Sequence, residues 1–275
     1  MISRYSAFGA AFLSILLWAS LASLSTFVAN VPAFFLTGAS LLIGSLISVH
    51  KINDWKLDIK NILFGIYGIA GFHIFYFLGL RNAPAIETNL VNYLWPLLII
   101  LLAPFMIKKP LTKFQLMGAV LGFTGAVIAI ASKGISQESV LQIGYLFSLF
   151  SAIIWATFSL GLSNTQFSVW QTGIYCFASG IICLLISYFI GERFHPTQQD
   201  WIFIFIIGIG PLGAAFYLWD FAIKKMGAIS VAPISYFTPV ISTALLTFTL
   251  KQSPSVVLIL ALLLVISGVI LGNKK

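Results

Sequence analysis

The sequence predicts an all-α integral membrane protein of ten transmembrane helices, built as two inverted five-helix repeats. Three observations lead to it: the composition, ten long apolar runs, and a match between the two halves of the chain. Charged residues make up 8% of the 275 residues and hydrophobic residues 60%, whereas a soluble domain carries about 25% charged residues. With only 15 basic and 7 acidic side chains, the chain cannot cover itself in water, so lipid must be its outer solvent.

Ten apolar runs are each of a length that suits a spanning helix, which needs roughly 17–25 residues. Short polar segments separate these runs, and no stretch remains for a soluble domain. The predicted helices cover residues 5–27, 33–50, 60–80, 84–107, 113–132, 141–162, 168–190, 201–222, 229–250 and 255–272.

The two halves match when Pro96 is superposed on Pro239. The same register superposes further identical residues: Tyr93 on Tyr236, Phe105 on Phe248, and Gly125 on Gly268. Because each half holds five helices, the second half enters the membrane from the opposite side. Inverted repeats of this kind are typical of transporters. We predict a first repeat over residues 1–132 and a second over 141–275; duplication as a mere way to build a bundle is the alternative.

The basic residues predict the orientation. With a cytoplasmic N-terminus, four of the 15 Lys and Arg residues fall outside, and the other eleven fall inside; the outside set is Arg81, Lys133, Arg193 and Lys251. The positive-inside rule then predicts a multi-pass inner-membrane protein with both termini in the cytoplasm. The net charge of +8 therefore sets topology. No basic stripe could follow a phosphate backbone, so no nucleic acid partner is predicted.

The two matched prolines predict broken backbone inside the membrane. Pro96 and Pro239 leave free the carbonyls four residues earlier, on Asn92 and Ser235. Such carbonyls need a partner in hydrocarbon, so we expect these helix kinks to line a cavity. Ordinary kinks covered by neighbouring helices are the alternative.

Polar and aromatic side chains gather around these kinks. Trp18 and Trp155 lie too deep for an interfacial belt, and an aromatic cavity suits planar or cationic organic molecules. The predicted substrate-binding residues are Trp18, His73, Tyr76, Asn89, Asn92, Tyr93, Trp155, Trp219, Ser235 and Tyr236. Plain packing is the alternative for the aromatic residues, and a structural hydrogen bond is the alternative for His73.

Two pairs of charged residues stand near predicted helix ends, and three of the four, Arg81, Glu87 and Asp220, are candidates for gating. Arg81 could pair with Glu87, and Asp220 precedes Lys224 by one helical turn. We expect interfacial ion pairs at both places, with gating or coupling as the alternative role.

A longer pattern resembles a known family. Residues 71–96 read GFHIFYFLGLRNAPAIETNLVNYLWP, and the second half contains GPLG at 210–213, YLWD at 217–220 and SYFTP at 235–239. These segments resemble the EamA type of the drug/metabolite transporter superfamily, and NYLWP is similar to its aromatic amino-acid exporter branch. The resemblance implies two inverted EamA repeats, alternating access around a central cavity, and export of aromatic or other neutral amino acids. One departure is the sequence IKKP at 107–110, where many members carry an acidic residue followed by Arg.

The function predicted is therefore a secondary transporter that exports or exchanges amino acids or similar small metabolites, as a monomer or weak homodimer. A carrier of S-adenosylmethionine or another cation is the alternative; it would favour a carboxylate beside the rings. A non-transporting scaffold is the alternative from another class, and a channel would need a charged ring or filter. An enzyme is not predicted, because no nucleophile–base pair appears. No cofactor or metal is predicted either, since Cys176 and Cys183 lack His or carboxylate neighbours.

Overall fold

The computed structural model describes residues 4–131, 142–249 and 256–272. Within them, nine helical segments are long and apolar enough to cross a membrane, and a tenth apolar helix is shorter. The segments are α1 (Tyr5–Val28), α2 (Ala33–Asp54), α3 (Ile59–Asn82), α4 (Ala85–Met106), α5 (Lys113–Ala131), α6 (Ile143–Leu162), α7 (Val169–Phe189), α8 (Gln198–Met226), α9 (Ala228–Thr249) and α10 (Val256–Gly272). The predicted ten-helix membrane fold is confirmed. Lys133, Lys251, Lys274 and Lys275 lie outside the described residues.

Helix α8 begins three residues earlier than predicted because a capping box starts it. The hydroxyl of Thr197 accepts a hydrogen bond from the backbone N–H of Asp200, and the carboxylate of Asp200 accepts one from the backbone N–H of Thr197. This pair satisfies two donors that a helix start leaves unbonded. Hydropathy alone cannot predict a helix start that consists of polar residues.

The helices pack in an inverted order that repeats between the halves. Helix α1 packs on α8, and α6, the counterpart of α1, packs on α3, the counterpart of α8. Helices α2 and α7 touch at reciprocal positions: a Cβ added at Gly38 would lie 2.7 Å from Leu184, and one at Gly180 would lie 3.0 Å from Leu42. Superposing Gly38 on Gly180 also places Leu42 on Leu184. The contact of Gly38 with Leu184 is thus equivalent to the contact of Gly180 with Leu42. A pseudo-twofold axis therefore passes between α2 and α7.

Helices α5 and α10 meet across the same kind of axis. A Cβ at Gly268 would lie 2.6 Å from the carbonyl oxygen of Gly118, and one at Gly125 would lie 2.8 Å from that of Ala261. The register that superposes Pro96 on Pro239 also places Gly118 on Ala261 and Gly125 on Gly268. Each of the two contacts is therefore the repeat-related copy of the other. Small residues let the two backbones touch, as is common where helices associate in lipid.

Four spans change their helical geometry near mid-length. Helix α3 is π-helical over Tyr67–Gly71 and α8 over Gly210–Ala214, and the two segments superpose in the register of the matched prolines. Such segments were not predicted from the sequence. They are frequent at functional sites.

The matched prolines lie just after a break in the helix. Helix α4 is interrupted by a turn at residues 93–94, and Pro96 is the second residue of its continuation, Trp95–Met106. Helix α9 is a 3₁₀-helix over Ala232–Tyr236, and Pro239 is the third residue of the segment Phe237–Thr249. Each proline therefore sits in a first turn, where the missing N–H removes no helical bond.

Candidate functional site

A cavity of about 650 Å³ lies between the two repeats. Its lining runs from the helix ends around Ala29, Ala33 and Ala85 down to Trp18 and Trp155 at mid-length. Helices α1 to α4 contribute most of the wall, and α6, α8 and α9 close it from the other repeat. A volume of this size suits a small organic molecule.

The bottom of the cavity is a cluster of four tryptophans, two from each repeat. Trp18 lies 5.6 Å from Trp155 and 5.3 Å from Trp219 between ring centroids. Trp95 lies 5.5 Å from Trp219 and 6.3 Å from Trp155. We call these four rings the aromatic floor. Trp219 is only 1% exposed and donates its indole N–H to Ser159 at 3.2 Å, so it supports the floor without lining the cavity.

A polar wall rises from this floor on α3 and α4. The cavity is lined by five of the residues predicted to bind substrate: His73, Tyr76, Asn89, Asn92 and Tyr93. The hydroxyl of Tyr76 donates to Asn89 Oδ1 at 2.5 Å, which joins α3 to α4.

Two further bonds hold the polar wall. Ser151 Oγ of α6 lies 2.8 Å from Asn92 Oδ1 and 2.7 Å from the carbonyl of Ser148, and its one hydrogen is shared between these two acceptors. His73 Nδ1 lies 2.8 Å from the carbonyl of Ile69, a residue of the π-helical segment. The side chains of the wall are thus fixed by neighbouring helices and by the irregular backbone of α3.

Several residues that line the cavity were not predicted from the sequence. Phe72 and Phe216 extend the aromatic surface, and Thr238, Ser242 and Thr243 of α9 add hydroxyl groups. Thr238 and Ser242 are four residues apart, on either side of Pro239, and this spacing places both hydroxyl groups on one face of the helix. That pattern could have indicated that they line the cavity.

The structure places four predicted residues outside the lining. Trp219 lies beneath the other three rings of the floor, and Pro96 is buried at the start of the second segment of α4. Ser235 donates to the carbonyl of Ala232 at 2.5 Å. Tyr236 is fully buried and packs on Gly122 of α5, whereas its counterpart Tyr93 lines the cavity. The two repeats therefore differ at this position.

Among the described residues, no Asp, Glu, Lys or Arg side chain lines the cavity. The Arg81 side chain forms its ion pair with Glu192 at 3.4 Å, which corrects the expected pairing with Glu87. The Asp220–Lys224 pair is present at 2.7 Å. Asp220 is 1% exposed and also accepts from Thr172 at 3.4 Å, so this pair is buried within the protein.

The end of the bundle opposite the cavity mouth is closed by polar contacts between the repeats. The amide of Gln171 bonds both backbone groups of Lys56: the Lys56 N–H donates to Oε1 at 2.7 Å, and Nε2 donates to the Lys56 carbonyl at 3.1 Å. We call this set of contacts the latch. It joins three pairs: Gln171 with Lys56, Tyr175 with Asn61, and Tyr217 with Ser48.

Known proteins resemble the chain over nearly its whole length. A protein of Ancylobacter novellus named aromatic amino acid exporter YddG is 32% identical over 285 residues, covering 97% of this chain and 96% of that protein. The uncharacterized transporter YyaM of Bacillus subtilis is 27% identical over 82% of this chain and 76% of that protein. A protein of known crystal structure superposes with a TM-score of 0.91 at 31% identity, covering 98% of both chains.

The match to a family model agrees with the fold and the site. The model of the EamA-like transporter family matches residues 5–131 and again residues 142–273. Two matches within one chain correspond to the two inverted repeats around the cavity. The chain belongs to the EamA-like transporter family.

Proposed function

We propose that the protein exports neutral amino acids, aromatic ones foremost, by alternating access. The observation that carries the proposal is a 650 Å³ cavity between the repeats with an aromatic floor and an uncharged polar wall. Indole rings bury large apolar area and stack on other rings, and the polar wall offers hydrogen bonds to an amino acid backbone. The similarity to the Ancylobacter novellus protein, which is named as an aromatic amino acid exporter, supports the substrate class.

The uncharged lining disfavours the cationic alternative. A ligand with a net charge loses its hydration in the cavity, at several kcal/mol, and finds no opposite charge there. The rings attract S-adenosylmethionine or choline by cation–π contact, but a carboxylate near the rings, which such a cation would favour, is missing from the described lining. Asp220 lies outside the lining and is engaged by Lys224.

The orientation follows from the charge pattern. The positive-inside rule puts the latch on the cytoplasmic side and the cavity mouth on the outer side of the inner membrane. The conformation described is then the outward-open one. An inward-open state would arise when the repeats, residues 1–132 and 141–275, rock against each other and the latch opens.

The protein acts as a transporter and not as an enzyme, a scaffold or a nucleic acid binder. A single chain supplies the whole cavity and the latch, so a monomer suffices for the cycle. Saturable flux of substrate is what separates a transporter from a scaffold.

Flux in proteoliposomes tests the proposal. We expect saturable counterflow of radiolabelled phenylalanine, competed by neutral amino acids and not by S-adenosylmethionine or choline. Trp155→Ala removes part of the floor and Asn92→Ala part of the polar wall, so each should reduce flux at least about tenfold. Phe105→Ala, at an 82% exposed position away from the cavity, is the matched control and should keep normal flux.

Protein recovered as a monodisperse species in detergent shows that the variants fold. Normal flux in both floor and wall variants, or wild-type flux of the cations alone, contradicts the proposal.

A further inference from the structure

An amino acid brings two opposite charges into a cavity whose lining, within the described residues, has none. Both ends of the zwitterion must therefore be held by neutral groups, or leave much of their hydration unreplaced. Three side chains of the polar wall have one hydrogen-bonding group fixed and a second left for the cavity. They are His73, Asn89 and Asn92.

His73 offers an acceptor. Its Nδ1 lies 2.8 Å from the carbonyl of Ile69, and a carbonyl oxygen can only accept, so Nδ1 carries the hydrogen. The neutral imidazole then presents a lone pair at Nε2. The His73 ring contacts Phe72 at 5.1 Å, and Phe72 contacts Trp155 at 5.5 Å. The acceptor lies beside the aromatic floor, where ring faces attract cations.

Asn89 and Asn92 offer donors. Asn89 Oδ1 accepts from Tyr76, and Asn92 Oδ1 lies 2.8 Å from Ser151 Oγ, whose one hydrogen is shared between Asn92 Oδ1 and the carbonyl of Ser148 at 2.7 Å. With each Oδ1 so engaged, the two N–H groups of each Nδ2 are the donors that these side chains bring to the cavity they line. They are three residues apart on α4, so their side chains are neighbours on one face.

The break in α4 brings the start of a second helical segment close to these donors, and its partial positive charge opposes the negative one at the end of the first segment, Ala85–Asn92. The second segment, Trp95–Met106, starts at the cavity wall three residues after Asn92. The N-terminus of a helix carries a partial positive charge, and half-helices in transporters direct it at anionic groups of the substrate.

We infer that the cavity binds the zwitterion through uncharged groups. The amide N–H groups of Asn89 and Asn92 donate to the α-carboxylate, and His73 Nε2 accepts a hydrogen bond from the α-ammonium. This assignment rests on the proposed function. It implies that the site requires both ends of the free amino acid and rejects amines, amides and N-acylated analogues with the same ring.

Competition by four ligands with the same ring tests the assignment. The measurement is inhibition of radiolabelled phenylalanine counterflow by the wild-type protein. The unlabelled competitors are phenylalanine, phenylalaninamide, N-acetylphenylalanine and phenethylamine. Each of the three analogues should bind at least about tenfold more weakly than phenylalanine, because a charge-assisted hydrogen bond is lost. Equal binding of phenylalaninamide or phenethylamine overturns the inference while phenylalanine flux upholds the proposed function.

Asn89→Asp is the sharpest variant, because it keeps the shape and replaces two donors with an anionic acceptor. The variant should bind phenylalanine more weakly and phenylalaninamide more tightly, which changes the ratio of the two affinities about tenfold or more. The ratio does not depend on the amount of folded protein. Asn82→Asp makes the same change outside the cavity lining and should leave the ratio as in the wild type.

A ratio in Asn89→Asp within twofold of wild type contradicts the carboxylate assignment and leaves amino acid export standing. Absence of any amino acid flux in wild type contradicts the proposed function itself, and the inference with it.

Discussion

At the scale of single residues, the environment of each polar side chain decides its chemistry. Asp220 and Lys224 form a buried ion pair one helical turn apart. Burial removes hydration from both charges, and their mutual attraction offsets that cost only while both are present. Removing one charge of the pair should therefore destabilise the protein more than removing both.

Lys224→Met should destabilise the protein by about 3–5 kcal/mol, because it leaves the Asp220 carboxylate without its counter-charge. The melting temperature in detergent should fall clearly. The double variant Asp220→Asn/Lys224→Met removes both charges and should recover most of the loss. Lys225→Met, at the exposed neighbouring position, is the control; a fall as large as that of Lys224→Met would contradict the buried pair.

Most of the polar wall could be predicted from the sequence, because deep polar residues in a membrane helix face the protein interior. His73, Tyr76, Asn89, Asn92 and Tyr93 all line the cavity. The repeat symmetry does not extend to the counterpart residue Tyr236, whose ring fills the space that Gly122 leaves. Periodicity gives no information on which neighbour offers such a space.

At the scale of helices, the two ends of the bundle are closed by different chemistry. In the register that superposes α2 on α7, the latch residues Gln171 and Tyr175 have Ala29 and Ala33 as their counterparts. Both alanines line the cavity at its mouth. The repeats therefore provide polar contacts at one end and methyl groups at the other, which explains why the structure is closed at the latch.

Gln171→Ala should open the latch end more often. The Gln171 side chain is 1% exposed and satisfies both backbone groups of Lys56, and each lost bond contributes about 0.5–1.5 kcal/mol. Native Cys176, buried beside Tyr175, should react roughly tenfold faster with a maleimide in a Cys183→Ser background.

Gln198→Ala, outside the latch at the start of α8, serves as the control for that measurement. Unchanged labelling of Cys176 in Gln171→Ala would show that the latch does not hold this end closed.

Hydropathy predicted the helices within a few residues, because apolar length is the main requirement for crossing lipid. It did not predict the π-helical segments of α3 and α8. Those segments depend on tertiary contacts: Gly68 packs on the ring of Phe158, and Gly213 packs on the backbone of Gly44. The pairing of Arg81 with Glu192 was missed for a related reason, since Glu192 lies in the loop between α7 and α8, where periodicity gives no position.

At the scale of the whole molecule, the repeats are held together where backbones touch. Gly268→Ala should lower the melting temperature, because the added Cβ would lie 2.6 Å from the Gly118 carbonyl oxygen. Overpacking of this kind costs about 1–3 kcal/mol. Gly9→Ala is the matched control: nothing lies within 4 Å of its Cβ, so it should be neutral or stabilising by up to about 1 kcal/mol, the difference in helix propensity. Equal melting temperatures for the two variants would contradict the close contact of α5 and α10.

The absence of formal charge from the described cavity lining has a consequence for energetics. A zwitterion carried by neutral groups moves no net charge across the membrane in either direction. A membrane potential of about 100 mV is worth about 2.3 kcal/mol for each elementary charge moved, and none of that work acts on such a cycle. Where the zwitterion is the only species moved in the proposed cycle, the concentration ratio of the amino acid sets the direction of flow, and a cell loses substrate only while its internal level exceeds the external one.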